Sequence, residues 1–303
     1  MVLLSFMRRR ADIQRLRVRS SEGRSGGRRS AFTLIELLAV IGVIAILAGL
    51  LLPALSKGKV QALNVACLNH LDQLQVCWHL YAVDNEDLLP PNNFVYSVEN
   101  TNAFVVRDIS WCPGIAPLDT TTSNIEQGVL FPYNRSAAIY RCPADKSTAM
   151  TPEGEKLPQP RTRSYNMSQS INGAPVVIDY IPAFAKFTAI DGPQPPALFV
   201  FIDVHEEGIW DSLFGIPPPG WNFRDTNGVA VAPTWWDLPA DRHNQGCNLS
   251  FADGHVEHWK WAAPKIFEKI GQPIANEKDM KDFLRVRAGV RPSPSPALIV
   301  ITP

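Results

Sequence analysis

No charged residue lies between Leu37 and Leu55. As a helix rising ~1.5 Å per residue, that stretch covers roughly 28 Å, about the hydrocarbon thickness of a bilayer. The five cysteines contain no Cys-x-x-Cys spacing, so a zinc finger or ribbon is not expected. Beyond the basic N-terminal segment there is no Gly-x-Ser-x-Gly, and nowhere a His-Glu-x-x-His or a phosphate-binding loop. Catalysis therefore has thin support, and the expectation is that the chain is not an enzyme. No internal repeat is visible. Past Leu55 the chain reads Ser56-Lys57-Gly58-Lys59, which offers no small-residue cleavage site, so a secretory signal peptide fits poorly.

What is present is asymmetric. The formal net charge is zero, yet residues 1–31 hold nine of the 29 basic residues and only two acids, Asp12 and Glu22. The remainder, with 20 bases and 27 acids, is acidic. Arg-rich flanks stay cytoplasmic, which places the C-terminal bulk outside the membrane and argues against nucleic acid as its partner. Roughly 245 residues remain beyond the leader and apolar segment, enough for one sizeable domain. The 26 prolines and 19 glycines favour turns and long loops. Five cysteines in an exported chain permit disulfides and leave one over. Cys112 and Cys142, both followed by proline, are the first candidates for a pair. Cys67 and Cys77, ten apart on a predicted helix, lie about 15 Å apart along its axis and cannot bridge. Cys247 reads as a small buried apolar residue.

The segment Ser30-Ala31-Phe32-Thr33-Leu34-Ile35-Glu36-Leu37-Leu38-Ala39-Val40 joins the basic leader to the apolar run through one carboxylate. A carboxylate facing lipid costs about 2.5–3.5 kcal/mol at the centre of a helix. The natural partner for Glu36 is the freed N-terminal amine of a neighbouring copy. The segment resembles the signal of type IV prepilins and type II secretion pseudopilins. That resemblance implies a prepilin peptidase and N-methyltransferase that cuts between Ala31 and Phe32 and methylates Phe32. It makes Glu36 the fifth mature residue, and it puts Pro53 where the family places a helix-bending proline. The family normally has Gly where this chain has Ala31, and Met7 is an alternative start. The alternative to processing is an uncut signal anchor.

After Pro53, Val60, Leu63, Cys67, Leu71, Leu74, Trp78 and Tyr81 recur at steps of three and four, an amphipathic stripe. The predicted layout is a leader (1–31), a transmembrane or filament-core helix (32–55) and its amphipathic continuation (56–90). An α+β head (91–287) and a flexible tail (288–303) follow, the tail alternatively adding an edge strand at Leu298–Ile301. The fold expected is pilin-like, a long helix packed on an antiparallel sheet with long loops at Thr101–Asn134 and Asp211–Pro239. Strand candidates are Ala103–Arg107, Ala138–Arg141, Ala174–Tyr180 and Ala197–Asp203, the last with the composition of a central strand. Within residues 243–261, alternating runs flank Asp253-Gly254, predicting a hairpin with a type I′ turn.

His243 precedes Asp253-Gly254 by nine intervening residues. This resembles a His-x9-Asp-Gly signature on prepilin-type proteins of the Planctomycetes and Verrucomicrobia, as do Cys142-Pro143-Ala144-Asp145 and Arg163-Ser164-Tyr165-Asn166-Met167. Asp203, His205, His243 and Asp253 are candidate metal ligands. Calcium is one reading, because the related major pseudopilins carry a calcium-binding loop. A transition metal is another, given the histidines. The third is no cofactor at all, with Asp253 ordering the turn and His243 capping it. Trp210, Trp221, Trp235, Trp236, Trp259 and Trp261 are either buried packing or, where exposed, a surface for glycan or protein.

The function expected is a pilin-like structural subunit, single-pass in the inner membrane with its N-terminus cytoplasmic and its head extracytoplasmic. Its partners would be the processing peptidase, further pilin-like subunits and an inner-membrane assembly platform. The alternative is a membrane-tethered binding module that does not polymerise.

Overall fold

A computed structural model of the chain describes residues 33–93, 109–173, 183–190, 198–220, 222–225, 232–293 and 298–301, with backbone only at 222–225 and 298–301. The expected strands at 103–107 and 174–180, the cleavage residues Ala31 and Phe32, and Trp221 lie outside the described residues. The chain divides into two compact units, Met1–Leu52 and Pro53–Pro303.

In the first unit, a helix starts at Leu34 and every side chain from Leu34 to Leu52 is exposed. Its start is fixed locally. Glu36 Oε2 accepts from the Thr33 amide (2.8 Å) and hydroxyl (2.7 Å), while the Glu36 amide donates to Thr33 Oγ1 (3.3 Å). This reciprocal arrangement is a capping box, which satisfies amides that no helical carbonyl reaches. The same helix runs to Asp84 with Pro53 inside it. Proline there removes the amide that would bond the Gly49 carbonyl. After Asp84 the Asn85 amide bonds the Tyr81 carbonyl, and Glu86 and Asp87 turn left-handed.

In the second unit the helix buries Asn64, Cys67, Leu71, Leu74, Gln75, Cys77, Trp78 and Ala82. The predicted stripe is therefore buried from Cys67 to Trp78, whereas Tyr81 is half-buried and Val60 is exposed. It packs on a five-stranded sheet. Strands in chain order are β1 (Thr148–Met150), β2 (Lys156–Pro160), β3 (Tyr165–Ser168), β4 (Phe199–Asp203), β5 (Leu213–Phe214), β6 (Asn222–Asp225), β7 (Gly246–Phe251), β8 (Val256–Lys260) and β9 (Leu298–Ile301). The main sheet has the order β5-β3-β4-β7-β8. Its pairs are antiparallel except β3–β5, which is parallel, so the sheet is mixed rather than wholly antiparallel. β4 is central, as its Phe-Val-Phe-Ile run predicts.

The sheet separates two cores. Tyr165, Met167, Val200 and Phe201 pack toward the helix. Phe199, Ile202, Cys247, Leu249, Phe251, Trp235, Trp259 and Trp261 fill the other side. A register shift between Phe199 and Phe201 lets the adjacent Val200 and Phe201 join the same core, which an unbroken two-residue alternation forbids. On β7 the alternation is strict. Leu249 and Phe251 face the far core, while Ser250 donates to Gln75 Oε1 (2.8 Å) and Asn248 to the Asn64 carbonyl (3.4 Å) on the helix.

The far core is closed by a helix, Glu277–Ala288, that the sequence reading above does not contain. Asn276 caps it by accepting from the Lys278 and Asp279 amides, and Phe283 and Val286 are its buried residues in that core. Lys265 anchors its first turns, bonding Asp279 at 2.9 Å and Asp282 at 2.6 Å.

Four further expectations change. Ala137–Tyr140 is a 3-10 turn, not a strand, because it drops Ile139 and Tyr140 into the core, where Tyr140 stacks on Trp111. The hairpin turn is not type I′. Only Gly254 has positive φ (101°), the Gly254 amide bonds the Phe251 carbonyl, and the Phe251 amide bonds that of His255. That is a three-residue loop with a glycine bulge. Residues 298–301 form β9, paired parallel with β6, so of the two readings of this segment the added strand holds rather than the loose tail. Finally, the Cys112–Cys142 bridge is absent. All five cysteines are free and buried, with Cys112 held by Arg163 Nη1 (3.3 Å) and Cys142 by His243 Nε2 (3.1 Å).

Candidate functional site

The N-terminal determinant is simple. Glu36 is the one carboxylate at the start of an apolar helix whose Leu34, Ile35, Leu50 and Leu52 side chains are each more than half exposed. Its Oε2 is engaged by Thr33, while Oε1 makes none of those bonds. Thr33-x-x-Glu36 before an apolar run is itself a legible capping signal, absent from the reading above.

In the head, the predicted residues part company. Asp253 is exposed at the hairpin tip, where it orders His255 and its amide, and His255 stacks on Phe251 at 4.3 Å. His205 stacks on Phe267 and accepts from the Glu207 amide. Asp203 and His243 do meet, with Nε2 3.7 Å from Oδ2. These four residues therefore form no common ligand set, and His243 does not cap the turn at Asp253.

His243 reaches Asp203 through unusual backbone. His243, Asn244 and Gln245 have φ of 40°, 63° and 61°, three consecutive non-glycine residues in the left-handed region. Each costs about 1–2 kcal/mol relative to right-handed backbone. Gly246 resumes extended backbone, and a Cβ there would sit 2.4 Å from the Trp259 carbonyl.

The turn delivers two side chains to one place. Arg242 bonds Asp203 Oδ1 and the Val204 carbonyl and pairs with Asp145 (3.4 Å) and Glu206 (3.1 Å). His243 Nε2 faces Cys142 Sγ (3.1 Å). Cys67 Sγ, from the long helix, completes a group with Cys142, Asp203 and His243 whose ligand atoms all lie within 4.8 Å of one another. Tyr165 Oη lies 3.1 Å from Cys67 Sγ. Burial pushes the Asp203 carboxyl up to about 6 against the pull of Arg242. Burial, helped by Arg242 and His258, lowers His243 to about 4, so its imidazole is neutral at pH 7. Burial also raises the Cys142 thiol. Beside the group opens a groove of about 340 Å³ lined by Val60, Leu63, Lys146, Glu206, Arg242 and His243.

The sequence reading missed Cys67, Cys142 and Arg242 as members of this group. Cys67, Cys142, Asp203 and the Arg242-His243 pair come from four distant segments, so no spacing could reveal the group. Of the six C-terminal tryptophans, Trp235, Trp259 and Trp261 are buried, Trp236 is half-buried and Trp210 is exposed.

Residues 27–52 match the family model described as the prokaryotic N-terminal methylation motif. Neither a curated protein nor a solved structure gives a significant match to the chain. The motif, the long apolar helix and the following mixed sheet make this an α+β chain consistent with a pilin-like fold, carrying a prepilin-type N-terminal signal. That signal fits a single-pass membrane anchor.

Proposed function

We propose that this chain is a structural subunit of a type II secretion pseudopilus or a type IV pilus-like filament. The observation that carries the reading is Glu36, a carboxylate heading an exposed apolar helix inside a matched methylation motif. Prepilin peptidase cuts between Ala31 and Phe32 and methylates Phe32. The mature helix leaves the inner membrane and packs in a filament core, where the Glu36 carboxylate neutralises a neighbour's terminal amine. The head lies outside the cytoplasm and forms the exposed surface. In this reading the N-terminal segment serves assembly, and the chain has a structural rather than an enzymatic role.

Two experiments test it. Mass spectrometry of protein recovered from its native membrane should find a terminus at N-methyl-Phe32. An intact leader would mean a permanent anchor. Glu36→Gln retains an acceptor for Thr33 while removing the charge. It should insert normally and assemble poorly, and filaments at wild-type abundance would overturn the role given to the carboxylate.

A further inference from the structure

We infer that Cys67, Cys142, Asp203 and His243 form a structural site for a thiophilic divalent metal, zinc above all, that fastens the long helix to the sheet. The inference is independent of the filament reading. Two sulfurs, an imidazole nitrogen and a carboxylate oxygen are a donor set that zinc accepts and that calcium, which takes six to eight oxygens, does not. Tetrahedral bonds of about 2.0–2.3 Å imply ligand-to-ligand edges of roughly 3.3–3.8 Å. Cys142 Sγ to His243 Nε2 is 3.1 Å, His243 Nε2 to Asp203 Oδ2 is 3.7 Å, and no pair exceeds 4.8 Å. The group needs to open by a few tenths of an ångström between Cys142 and His243 and to contract by at most about 1 Å elsewhere.

Three independent features point into this space. Asp203 is fully buried, and its Oδ2 makes no hydrogen bond, although its Oδ1 is held by Arg242. An unpaired carboxylate oxygen in the interior is a heavy penalty without a ligand. Next, the left-handed turn at His243–Gln245 places the imidazole there at the expense of backbone strain, which persists where the surroundings demand one geometry. Third, a dication relieves the local excess of negative charge. With two thiolates and the Asp203 carboxylate it sums to −1, beside an Arg242 guanidinium that Asp145 and Glu206 also share. Arg242 and Tyr165 would orient Asp203 and Cys67 as outer partners do in metal sites. The groove beside His243 provides an entry path.

All four positions are taken by protein, which marks a structural rather than a catalytic site. Binding would release the two thiol protons to solvent. A Cys67–Cys142 disulfide is the competing fate of two neighbouring thiols in an exported chain. It would leave His243 and the free oxygen of Asp203 without a role.

The test uses full-length protein in detergent, stripped with chelator under reducing conditions and reloaded with zinc or cobalt. Wild type and Cys112→Ser, a buried thiol outside the group, should each retain about one equivalent of zinc after desalting. Their cobalt forms should show thiolate-to-metal charge transfer and tetrahedral visible bands. The double variant Cys67→Ser with Cys142→Ser should lose both, with affinity down more than about a hundredfold. Zinc bound equally by the double variant would overturn the site. So would wild type that holds no zinc, or a cobalt spectrum without thiolate bands, and neither outcome depends on how the variant folds. A native protein two hydrogens lighter, with Cys67 linked to Cys142, would overturn it in favour of the disulfide.

Discussion

Replacing Lys265 by Met tests whether the C-terminal helix is held by a buried ionic clamp. The Lys265 side chain is wholly buried, with Nζ donating to Asp279 (2.9 Å), Asp282 (2.6 Å) and the Ala263 carbonyl (3.0 Å) and lying 4.9 Å from the Trp261 ring centre. Removing one partner of a buried pair leaves uncompensated charge and typically costs 3–5 kcal/mol. Here the two carboxylates keep other donors. Asp279 accepts from Trp235 Nε1 and the Ala275 amide, and Asp282 from the Ala262 and Ala263 amides. The loss should therefore sit at the low end, about 3 kcal/mol, or roughly 6–12 °C in Tm for a domain of this size. Adding Asp279→Asn and Asp282→Asn to Lys265→Met removes the stranded charge, keeps oxygen acceptors, and should recover more than half of the loss. The assay is urea and thermal unfolding of detergent-solubilised protein followed by tryptophan fluorescence. A single variant within about 0.5 kcal/mol of wild type would refute the argument. A triple variant no better than the single one would refute it too, since the penalty would then be lost packing rather than unpaired charge.

Two further outcomes follow from the head. Burial and the neighbouring Asp211 carboxylate push Asp237 well above the usual carboxylate range, and burial pushes Asp211 up to about 6. The folded state therefore binds more protons than the unfolded chain, and stability falls as pH rises through about 6. Asp237→Asn, which keeps an oxygen for the Gly215 amide, should raise Tm by roughly 2–4 °C at pH 7.5 and by much less at pH 5. A gain that is equal or greater at pH 5 would reverse the sign of the reasoning. Gly246→Ala drives a Cβ against the Trp259 carbonyl. It should destabilise the hairpin by about 1–3 kcal/mol, read as faster amide exchange across β7 and β8.

Much of this architecture is legible in the sequence because local periodicity determines it. The helical stripe from Cys67 to Tyr81, the central strand around Phe201 and the hairpin at Asp253-Gly254 are patterns within a dozen residues or so. The C-terminal helix escapes that reading. Its apolar face is thin, with Phe283 and Val286 supported by Lys265 and by Arg287 bonding the Pro217 and Pro218 carbonyls. Ala138–Arg141 reads as strand by composition, yet tertiary contacts of Tyr140 with Trp111 decide its conformation. The turn type at Gly254 depends on one extra loop residue that propensity does not distinguish. The candidate site was half visible. His243 in a polar turn and Asp203 at the end of an apolar strand stand out in the sequence, but their meeting with Cys67 and Cys142 is a product of sheet order and helix packing.

The polar seam between helix and sheet has a mechanical meaning. Asn64, Cys67, His70, Gln75 and His79 each meet a different partner, respectively Asn248, Tyr165, the Arg141 carbonyl, Ser250 and the Ala252 carbonyl. An apolar stripe alone is nearly self-similar under a shift of one turn, about 5.4 Å. The four ties made by helix side chains are not, because a slip would strand polar groups at about 1–3 kcal/mol each, whereas the Asn64 main-chain carbonyl has an equivalent one turn away. A pull along this part of the helix is therefore transmitted to β7 and β3 without sliding, so this stretch of helix and the sheet move under load as one body.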